Sequence, residues 1–187
     1  MCKKDEEHIP LEALQHYDEL RFFQDLIDKK YILKFKPIVI YRTVRNNPPK
    51  EEDFIPNKYQ EVSEVEKYEI TLSQALVDKL SPGKQQRELS ERALSFNDTL
   101  EHSIEKARES YKNLLAKEIS PEEAELYKQK RGKFVTKLTF TPECGIITCF
   151  TNGHADVLPY DGALTKMVEA CDETTPFEYE EINETEE

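Results

Sequence analysis

Residues 84–119 of the chain read KQQRELSERALSFNDTLEHSIEKARESYKNLLAKEI. Apolar residues recur along this stretch in steps of three and four, at Leu89, Ala93, Phe96, Leu100, Ile104, Ala107, Tyr111 and Leu114. The mean step is close to the ~3.6 residues per turn of an α-helix, so the pattern predicts one helix with a single apolar face. At about 1.5 Å per residue this helix would be about 50 Å long, and we expect the rest of the chain to pack on it.

The remaining pattern predicts strands and shorter helices around that long helix. Alternating or continuously apolar runs favour strands at 31–44, 64–72, 133–140, 145–151 and 154–158. Further helices are expected from Pro10 to Asp28, from Ser73 to Leu80, over 121–131, and after Asp161. We expect the first two strands to pair with each other and the last three to form a meander. The predicted fold class is α+β, with small antiparallel sheets packed against the helices.

Two short motifs give sharper local predictions. Ser120-Pro121-Glu122-Glu123 combines an N-cap serine, a proline at the first helical position and a glutamate at N3, which is a capping box. Asn152-Gly153 between two apolar runs is typical of a two-residue hairpin turn. The sequence therefore predicts a helix beginning at Pro121 and a hairpin centred on Asn152-Gly153.

The domain organisation follows from composition and charge. We expect residues 1–171 to form one domain, in which 45–61 is an irregular, proline-rich loop. The formal net charge is −12, and residues 172–187 hold eight Asp or Glu without Lys or Arg. Residues 1–171 thus carry only four of the twelve net negative charges. We expect the acidic tail to be disordered, either as an interaction segment or as a solubilising terminus.

The same totals bound the partners and the compartment. Phosphate backbones are bound through Lys and Arg, so the acidic balance argues against a nucleic-acid partner. No apolar run approaches the ~20 residues that cross a bilayer, and no export signal is recognised, so we predict a cytoplasmic protein that does not bind membranes. The four cysteines, Cys2, Cys144, Cys149 and Cys171, are then expected to be reduced.

The clearest cluster of chemistry-bearing residues is Cys144, Cys149 and His154. Their C-x4-C-x4-H spacing suggests zinc, but structural zinc sites usually supply their ligands as close pairs. Pairing across the hairpin also places Cys149, His154 and Asp156 on one face, as in a thiol enzyme. A carboxylate beside Cys149 would disfavour its thiolate, and His154 would lie diagonally, at about 7–8 Å. We therefore predict ordinary strand residues, with no metal and no cofactor.

Two surface features suggest contacts with other molecules. The basic patch consists of Lys128, Lys130, Arg131, Lys133 and Lys137. It could bind phosphate or an acidic protein, or simply be solvated, or be covered by the acidic tail folding back on it. The partner-binding candidates are aromatic and apolar residues of the tail and the loop: Phe177, Tyr179, Ile182, Phe54 and Tyr59.

The sequence favours a non-enzymatic function. We expect a protein–protein interaction or assembly subunit, such as a ring or virion component whose partners are other protein subunits or copies of itself. The long helix, the proline-rich loop and the aromatic, acidic tail motivate this expectation. One alternative is an acidic inhibitor, resembling an antitoxin, that blocks a basic nucleic-acid-binding surface. The other is a small thiol or zinc enzyme that uses the Cys149, His154 and Asp156 face.

Overall fold

A computed structural model describes residues 11–32, 36–59 and 72–180 of the 187-residue chain. Seven strands in these ranges form one antiparallel sheet: β1 Tyr31–Ile32, β2 Ile38–Val44, β3 Leu94–Asn97, β4 Phe134–Phe140, β5 Gly145–Thr148, β6 His154–Pro159 and β7 Cys171–Pro176. Their order across the sheet is β1-β5-β6-β3-β2-β4-β7. This sheet, together with the helices, confirms the predicted α+β class.

The helices of the described residues are short. They are α1 Tyr17–Leu20, α2 Gln24–Lys30, α3 Gln74–Val77, α4 Pro82–Glu91, α5 Leu100–Leu115, α6 Pro121–Arg131 and α7 Ala163–Glu169. Turns of 3-10 helix occur at Leu11–Ala13, Arg21–Phe23, Glu51–Phe54 and Asn57–Tyr59.

The single helix predicted for 84–119 is wrong. The stretch folds instead as α4, β3 and α5. Leu94 and Phe96 are fully buried because β3 lies inside the sheet, and all four β3 residues pair with β6. The Thr99 side chain accepts a hydrogen bond from the backbone N–H of His102 and so begins a new helix. The repeat of apolar residues every three or four positions therefore continues from α4 through β3 into α5. Pairing of β3 with β6 determined its conformation, although its apolar residues also fit a helical repeat.

The N-terminal helix predicted for Pro10 to Asp28 is interrupted. His16 has a left-handed backbone with φ 61°, which ends one turn and begins α1. The predicted strand 31–44 is present as β1 and β2, with residues 33–35 between them outside the described ranges. Leu72 is the one described residue of the predicted strand 64–72, so its pairing with 31–44 lies outside what the structure describes.

The hairpin at Asn152-Gly153 is confirmed. Both residues have positive φ, 51° and 74°, as a type I′ turn requires, and Thr151 bridges His154. The predicted three-stranded meander is wrong, however. β4 does not continue into the hairpin but pairs along its whole length with β2, from Ile38–Phe140 to Val44–Phe134. β2 is apolar over most of its length, and this pairing places it inside the sheet, where it gains more burial.

The disordered tail predicted from residue 172 is wrong for its first nine residues. Residues 171–176 form β7, which pairs with β4, and Phe177 and Tyr179 are 7% and 3% exposed. These two rings pack with Tyr111 of α5 and Tyr127 of α6. The packing of these four aromatic rings, three of them buried, offsets the ordering cost of this acidic segment. Residues 181–187 lie outside the described ranges.

The two faces of the sheet differ. One face is apolar from β5 to β4 and packs against α7, with Ile40, Phe96, Leu138, Val157 and Met167 fully buried. The other face holds two separate apolar clusters. One joins β5 and β6 to the N-terminal helices and α4, and the other joins β4 to α5, α6 and the C-terminal aromatic rings. The stretch between them, on β3 and β6, is polar.

Candidate functional site

Four polar residues occupy neighbouring positions on β3 and β6. Ser95 pairs with Asp156, and Asn97 pairs with His154. Residues two apart on a strand point to the same face, so all four share one face of the sheet. Their alternate neighbours Leu94, Phe96, Ala155 and Val157 are buried on the opposite face. We call Ser95, Asn97, His154 and Asp156 the polar floor.

A cavity of about 450 Å³ lies over the polar floor. Its wall from α5 consists of Ser103, Lys106, Ala107 and Ser110, whose spacing of three and four places them on one side of the helix. α4, α6 and the segment that follows β2 supply the other walls. The volume is within the ~300–1,000 Å³ that is usual for small-molecule sites.

Two hydrogen bonds and one longer contact order the floor around Asp156. The hydroxyl of Ser90 on α4 donates to Asp156 Oδ2 at 2.8 Å. Ser95 Oγ and His154 Nε2 lie 2.6 Å apart, and Asp156 Oδ1 lies 3.7 Å from the same nitrogen. Because Ser95 and Asp156 both approach Nε2, they do not form a linear Ser-His-Asp relay, in which the carboxylate would face Nδ1.

The pKa of Asp156 is raised. Burial is the main cause, since it disfavours the charged carboxylate, and the Ser90 hydrogen bond, His154 and Lys30 oppose the shift. Thr148 Oγ1 accepts a hydrogen bond from the Asp156 backbone N–H, which fixes this point of β6. The floor therefore holds a carboxylate whose burial is only partly offset by the Ser90 hydrogen bond and the nearby His154 and Lys30.

Asn97 is 7% exposed, and its amide is only half satisfied. Nδ2 donates to the Ser103 hydroxyl at 3.0 Å, while Oδ1 is buried with no hydrogen-bond partner in the part of the chain that the structure describes. Turning the amide over would let Ser103 donate to the oxygen but would leave the NH₂ group unpartnered. Either orientation leaves a buried polar group that a ligand or a water can satisfy.

Arg42 links the floor to the loop after β2. Its Nη1 donates to the backbone carbonyl of Ser95 at 2.8 Å, and its Nε donates to the carbonyl of Asp53 at 2.9 Å. The guanidinium also lies 5.5 Å from the centre of the Phe96 ring. Arg42 is 8% exposed, so these contacts replace water around a buried charge.

Cations outnumber carboxylates around the cavity. The Lys and Arg residues in its lining are Arg42, Arg45, Arg87, Lys106, Lys130 and Arg131, against Asp53, Glu91 and Asp156. Burial lowers the pKa of Arg42 to about 10, and the charges of Arg131 and Arg45 act in the same direction, while Asp53 opposes them. Three guanidinium groups therefore share one region in which Asp53 is the nearby compensating carboxylate.

The two wall cations of α6 are available to a ligand. Arg45 and Arg87 form ion pairs with Asp53 and Glu91. Within the ranges that the structure describes, neither Lys130 nor Arg131 forms an ion pair, and Arg131 lies 5.8 Å from the centre of the Tyr127 ring. Arg131 is the last residue of α6, where a cation also suits the helix dipole.

The residues proposed for zinc or thiol chemistry do not come together. Cys144 is 1% exposed and packs in the core with Ala155 and Val157, on the face away from His154. Cys149 is disulfide-bonded, so the expectation of reduced cysteines is wrong at this position, and Cys149 does not line the cavity. His154 and Asp156 do share a face, as the sequence predicted. No group of three or more His, Cys, Asp or Glu able to hold a metal occurs in residues 11–32, 36–59 and 72–180.

The basic patch divides into two parts. Lys130 and Arg131 line the cavity. Lys128 pairs with Glu180 at 3.0 Å, Lys137 lies 3.9 Å from Asp172, and the Lys133 ammonium lies 5.8 Å from the Phe134 ring centre. The folding of the tail onto this patch, one of the three alternatives from the sequence, is thus confirmed for its contacts with Lys128 and Lys137.

The partner-binding candidates that the structure describes pack within the chain. Phe54 is fully buried, and Phe177 and Tyr179 belong to the aromatic cluster of α5 and α6. Tyr59 stacks on His16 with ring centres 3.5 Å apart and donates to Glu19. Ile182 lies outside the described ranges.

Sequence reasoning missed Ser95, Asn97, Ser103 and Arg42. The first three lie in the stretch taken for one helix, where Ser95 and Asn97 read as its solvated side. Their alternation with Leu94 and Phe96 was the available signal, together with the turn-forming Asn97-Asp98-Thr99. The sequence shows only that Arg42 is a charged residue within an apolar strand, which does not by itself indicate a binding site.

Comparisons of the chain with protein-family models, with curated proteins and with solved structures find no match. Among the described helices, none is both long and apolar enough to span a membrane.

Proposed function

We propose that the protein binds a small oxyanionic molecule, with a phosphate group as the preferred anion, in the cavity over the polar floor. The observation that carries the proposal is the excess of Lys and Arg around this cavity in a chain whose formal net charge is −12. A cluster of cations is costly to hold together by self-repulsion, and a bound anion relieves that cost.

The arrangement of the cations supports phosphate over a single carboxylate. Six cations line the cavity against three carboxylates, and Lys106 also pairs with Glu109 outside the lining at 2.7 Å, so an excess of about two positive charges remains. A phosphate monoester carries about −1.5 to −2 charges near pH 7, which matches this excess better than one carboxylate does. Arg131 presents a planar guanidinium that can bind two phosphate oxygens at once, with Lys130 beside it as a point charge.

The protein–protein interaction function expected from the sequence stays a prediction. The long helix that motivated it is replaced by α4, β3 and α5, and the tail aromatic residues Phe177 and Tyr179 pack against the chain itself. The residues that line the cavity support anion binding more specifically than any described feature supports a protein–protein interaction. The acidic-inhibitor and thiol- or zinc-enzyme alternatives also stay predictions.

The proposal is tested by titrating the protein with inorganic phosphate in a calorimeter at constant ionic strength. We expect saturable binding with one site per chain. Arg131→Gln should weaken binding by about tenfold or more, since a hydrogen bond to a charged group contributes about 1.5–3 kcal/mol. The side chain is exposed at the end of α6, so the variant should fold normally.

Arg21→Gln is the matched control. Arg21 is also exposed but lies in the N-terminal helices, where its Nε donates to the Asp18 carbonyl, and it does not line the cavity. Its replacement removes the same charge and should leave phosphate affinity within twofold of wild type. Equal losses in the two variants would indicate a non-specific charge effect and would contradict the proposal, as would the absence of saturable binding to the wild type.

A further inference from the structure

The polar floor differs in chemistry from the cationic walls of the same cavity. Ser95 and Asn97 offer neutral donors and acceptors, His154 adds an imidazole, and Asp156 adds a buried carboxylate. The walls on α5, α6 and the segment after β2 supply Lys106, Lys130, Arg131 and Arg45. A ligand that fills both regions needs an anionic group and a separate neutral part able to form hydrogen bonds.

Two oxygen atoms of the polar floor can accept hydrogen bonds from donor groups of a ligand. Among the residues that the structure describes, Asn97 Oδ1 is buried and has no hydrogen-bond partner, and Asp156 Oδ1 lies 3.7 Å from His154 Nε2, beyond hydrogen-bond distance. The floor also holds the Ser95 hydroxyl, which can donate or accept. Each ligand hydroxyl group can donate one hydrogen bond to one of these oxygens and accept one from a neighbouring donor, so a ligand hydroxyl beside Asn97 satisfies either orientation of its amide.

The spacing of the four floor side chains favours a ligand that carries several hydroxyl groups on one carbon skeleton. Side chains directly opposite on neighbouring antiparallel strands lie about 4.5–5.5 Å apart at Cβ, and residues two apart on a strand are separated by about 7 Å. The floor is therefore a rectangle of polar groups of about 5 by 7 Å. Adjacent hydroxyl groups of a sugar or polyol have spacings that can contact more than one corner.

We infer that the ligand is a phosphomonoester of a polyhydroxylated carbon skeleton, a sugar or polyol phosphate, whose hydroxyl groups bind the floor at Asn97 and Asp156 while its phosphate binds the wall cations. This inference rests on the proposed function, because it assigns the neutral part of the same ligand. It adds a prediction that phosphate binding alone does not make, namely that hydroxyl groups raise affinity through Asn97.

The test compares ethyl phosphate, which has no hydroxyl groups on its carbon chain, with ribose 5-phosphate and glucose 6-phosphate. Dissociation constants are measured by calorimetry at constant ionic strength. We expect at least one sugar phosphate to bind wild type at least about tenfold more tightly than ethyl phosphate, as two added neutral hydrogen bonds would allow. In Asn97→Ala this advantage should fall below threefold, with ethyl phosphate affinity within twofold of wild type.

Ser95→Ala provides a second variant in case Asn97→Ala, which alters a buried position, fails to fold. Ser95 is exposed to the cavity and should tolerate the change, and its loss should reduce the sugar phosphate advantage by at least threefold. Asn113→Ala on the exposed side of α5 is the matched control and should change nothing. Retention of the full advantage in every floor variant that folds would overturn the inference.

The outcomes separate the inference from the proposed function. If ethyl phosphate and both sugar phosphates bind equally, the phosphate site stands and the assignment of the floor is overturned. If none of the three binds, the proposed function fails and this inference fails with it. Tight binding of a sugar phosphate that depends on Asn97 or Ser95 supports both.

Discussion

At the scale of single residues, the floor of the cavity holds a carboxylate where its charge is disfavoured. Asp156 is 8% exposed, and burial raises its pKa. A group whose folded-state pKa lies above its unfolded value favours folding while both states are protonated, and this contribution is lost as the pH rises through the folded pKa. At pH values above its raised pKa, Asp156 is ionised in the folded protein and therefore lowers the free energy of unfolding.

Asp156→Asn should stabilise the protein near pH 7. The asparagine oxygen can still accept from Ser90, and no buried charge remains. We expect a higher free energy of unfolding than wild type by urea denaturation at pH 7, with the difference shrinking as the pH falls toward the ordinary Asp pKa of about 3.9. If Asp156→Asn were less stable than wild type by the same amount at pH 7 and at about pH 4, the claim that the buried Asp156 carboxylate destabilises the fold would be contradicted.

His102 provides a second test at this scale. Its Nδ1 lies 2.5 Å from Asp98 Oδ1, and this hydrogen bond raises its pKa, with the charges of Asp98, Glu105 and Glu101 acting in the same direction. An NMR titration of the imidazole should give a midpoint above the ordinary His value, and Asp98→Asn should lower it. The stability that the pair contributes is present at low pH and is lost as the pH rises through the raised pKa of His102. An unchanged midpoint in Asp98→Asn would contradict the assignment.

At the scale of elements, β3 decides the architecture. It pairs with β6 along its whole length and with β2 at Tyr41–Asn97, and it separates α4 from α5. This strand brings Ser95 to within hydrogen-bonding distance of His154, which lies 59 positions away along the chain. A continuous helix over 84–119 would leave His154 and Asp156 on an open strand face with no cavity.

Phe96→Ala tests the position of β3. The ring is fully buried in the core shared with α7, so its loss should lower the free energy of unfolding by about 3–5 kcal/mol. Leu115→Ala, at a side chain that is 44% exposed on α5, should cost no more than about 1 kcal/mol. Similar costs for the two variants in chemical denaturation would contradict the buried strand.

The capping box of α6 gives a matched pair of variants. Ser120 accepts a hydrogen bond from the Glu123 backbone N–H, and Glu123 accepts one from the Ser120 N–H. Ser120→Ala should cost about 1 kcal/mol. Ser73, at the N-cap of α3, makes no side-chain capping bond, so Ser73→Ala should cost less than about 0.5 kcal/mol. Equal costs would indicate that the capping bonds do not stabilise α6.

The elements that the sequence predicted correctly are those set by local chemistry. The capping box at Ser120 and the turn at Asn152-Gly153 depend on a few neighbouring residues, whose preferred backbone angles are the same in any fold. β3 depends on pairing with strands far along the chain, and its apolar residues also fit a helical repeat. The sequence predicts that His154 and Asp156 on β6 share one face. It does not predict Ser95 and Asn97 as site residues, because β3 itself is not predicted.

At the scale of the whole molecule, charge is separated by region. The chain has a formal net charge of −12, and residues 172–180 cover part of the basic patch through β7, Glu180 and Asp172. Lys130 and Arg131 remain turned toward the cavity. This separation would draw anions to one place on a protein that otherwise repels them, and increasing salt should weaken that attraction.

Phosphate should therefore stabilise the folded protein. A ligand that binds only the folded state at 100 times its dissociation constant adds about 2.7 kcal/mol of stability, which corresponds to a rise in Tm of about 5–10 °C for a chain of this size. The comparison is with chloride at equal ionic strength. A Tm that responds equally to the two salts, or that rises as much in Arg131→Gln as in wild type, would contradict a specific site.

The most direct measurement of the central claim is an NMR titration of the labelled protein with inorganic phosphate at constant ionic strength. The proposed cavity site predicts saturable shifts of the backbone amides of Lys106, Lys130 and Arg131 in the cavity walls, all described by one dissociation constant and abolished in a Lys130→Gln, Arg131→Gln double variant. Amides far from the cavity, such as that of Asn113, should not move. Shifts that are absent, that grow linearly without saturation, or that spread evenly over the surface would contradict a phosphate site over the polar floor.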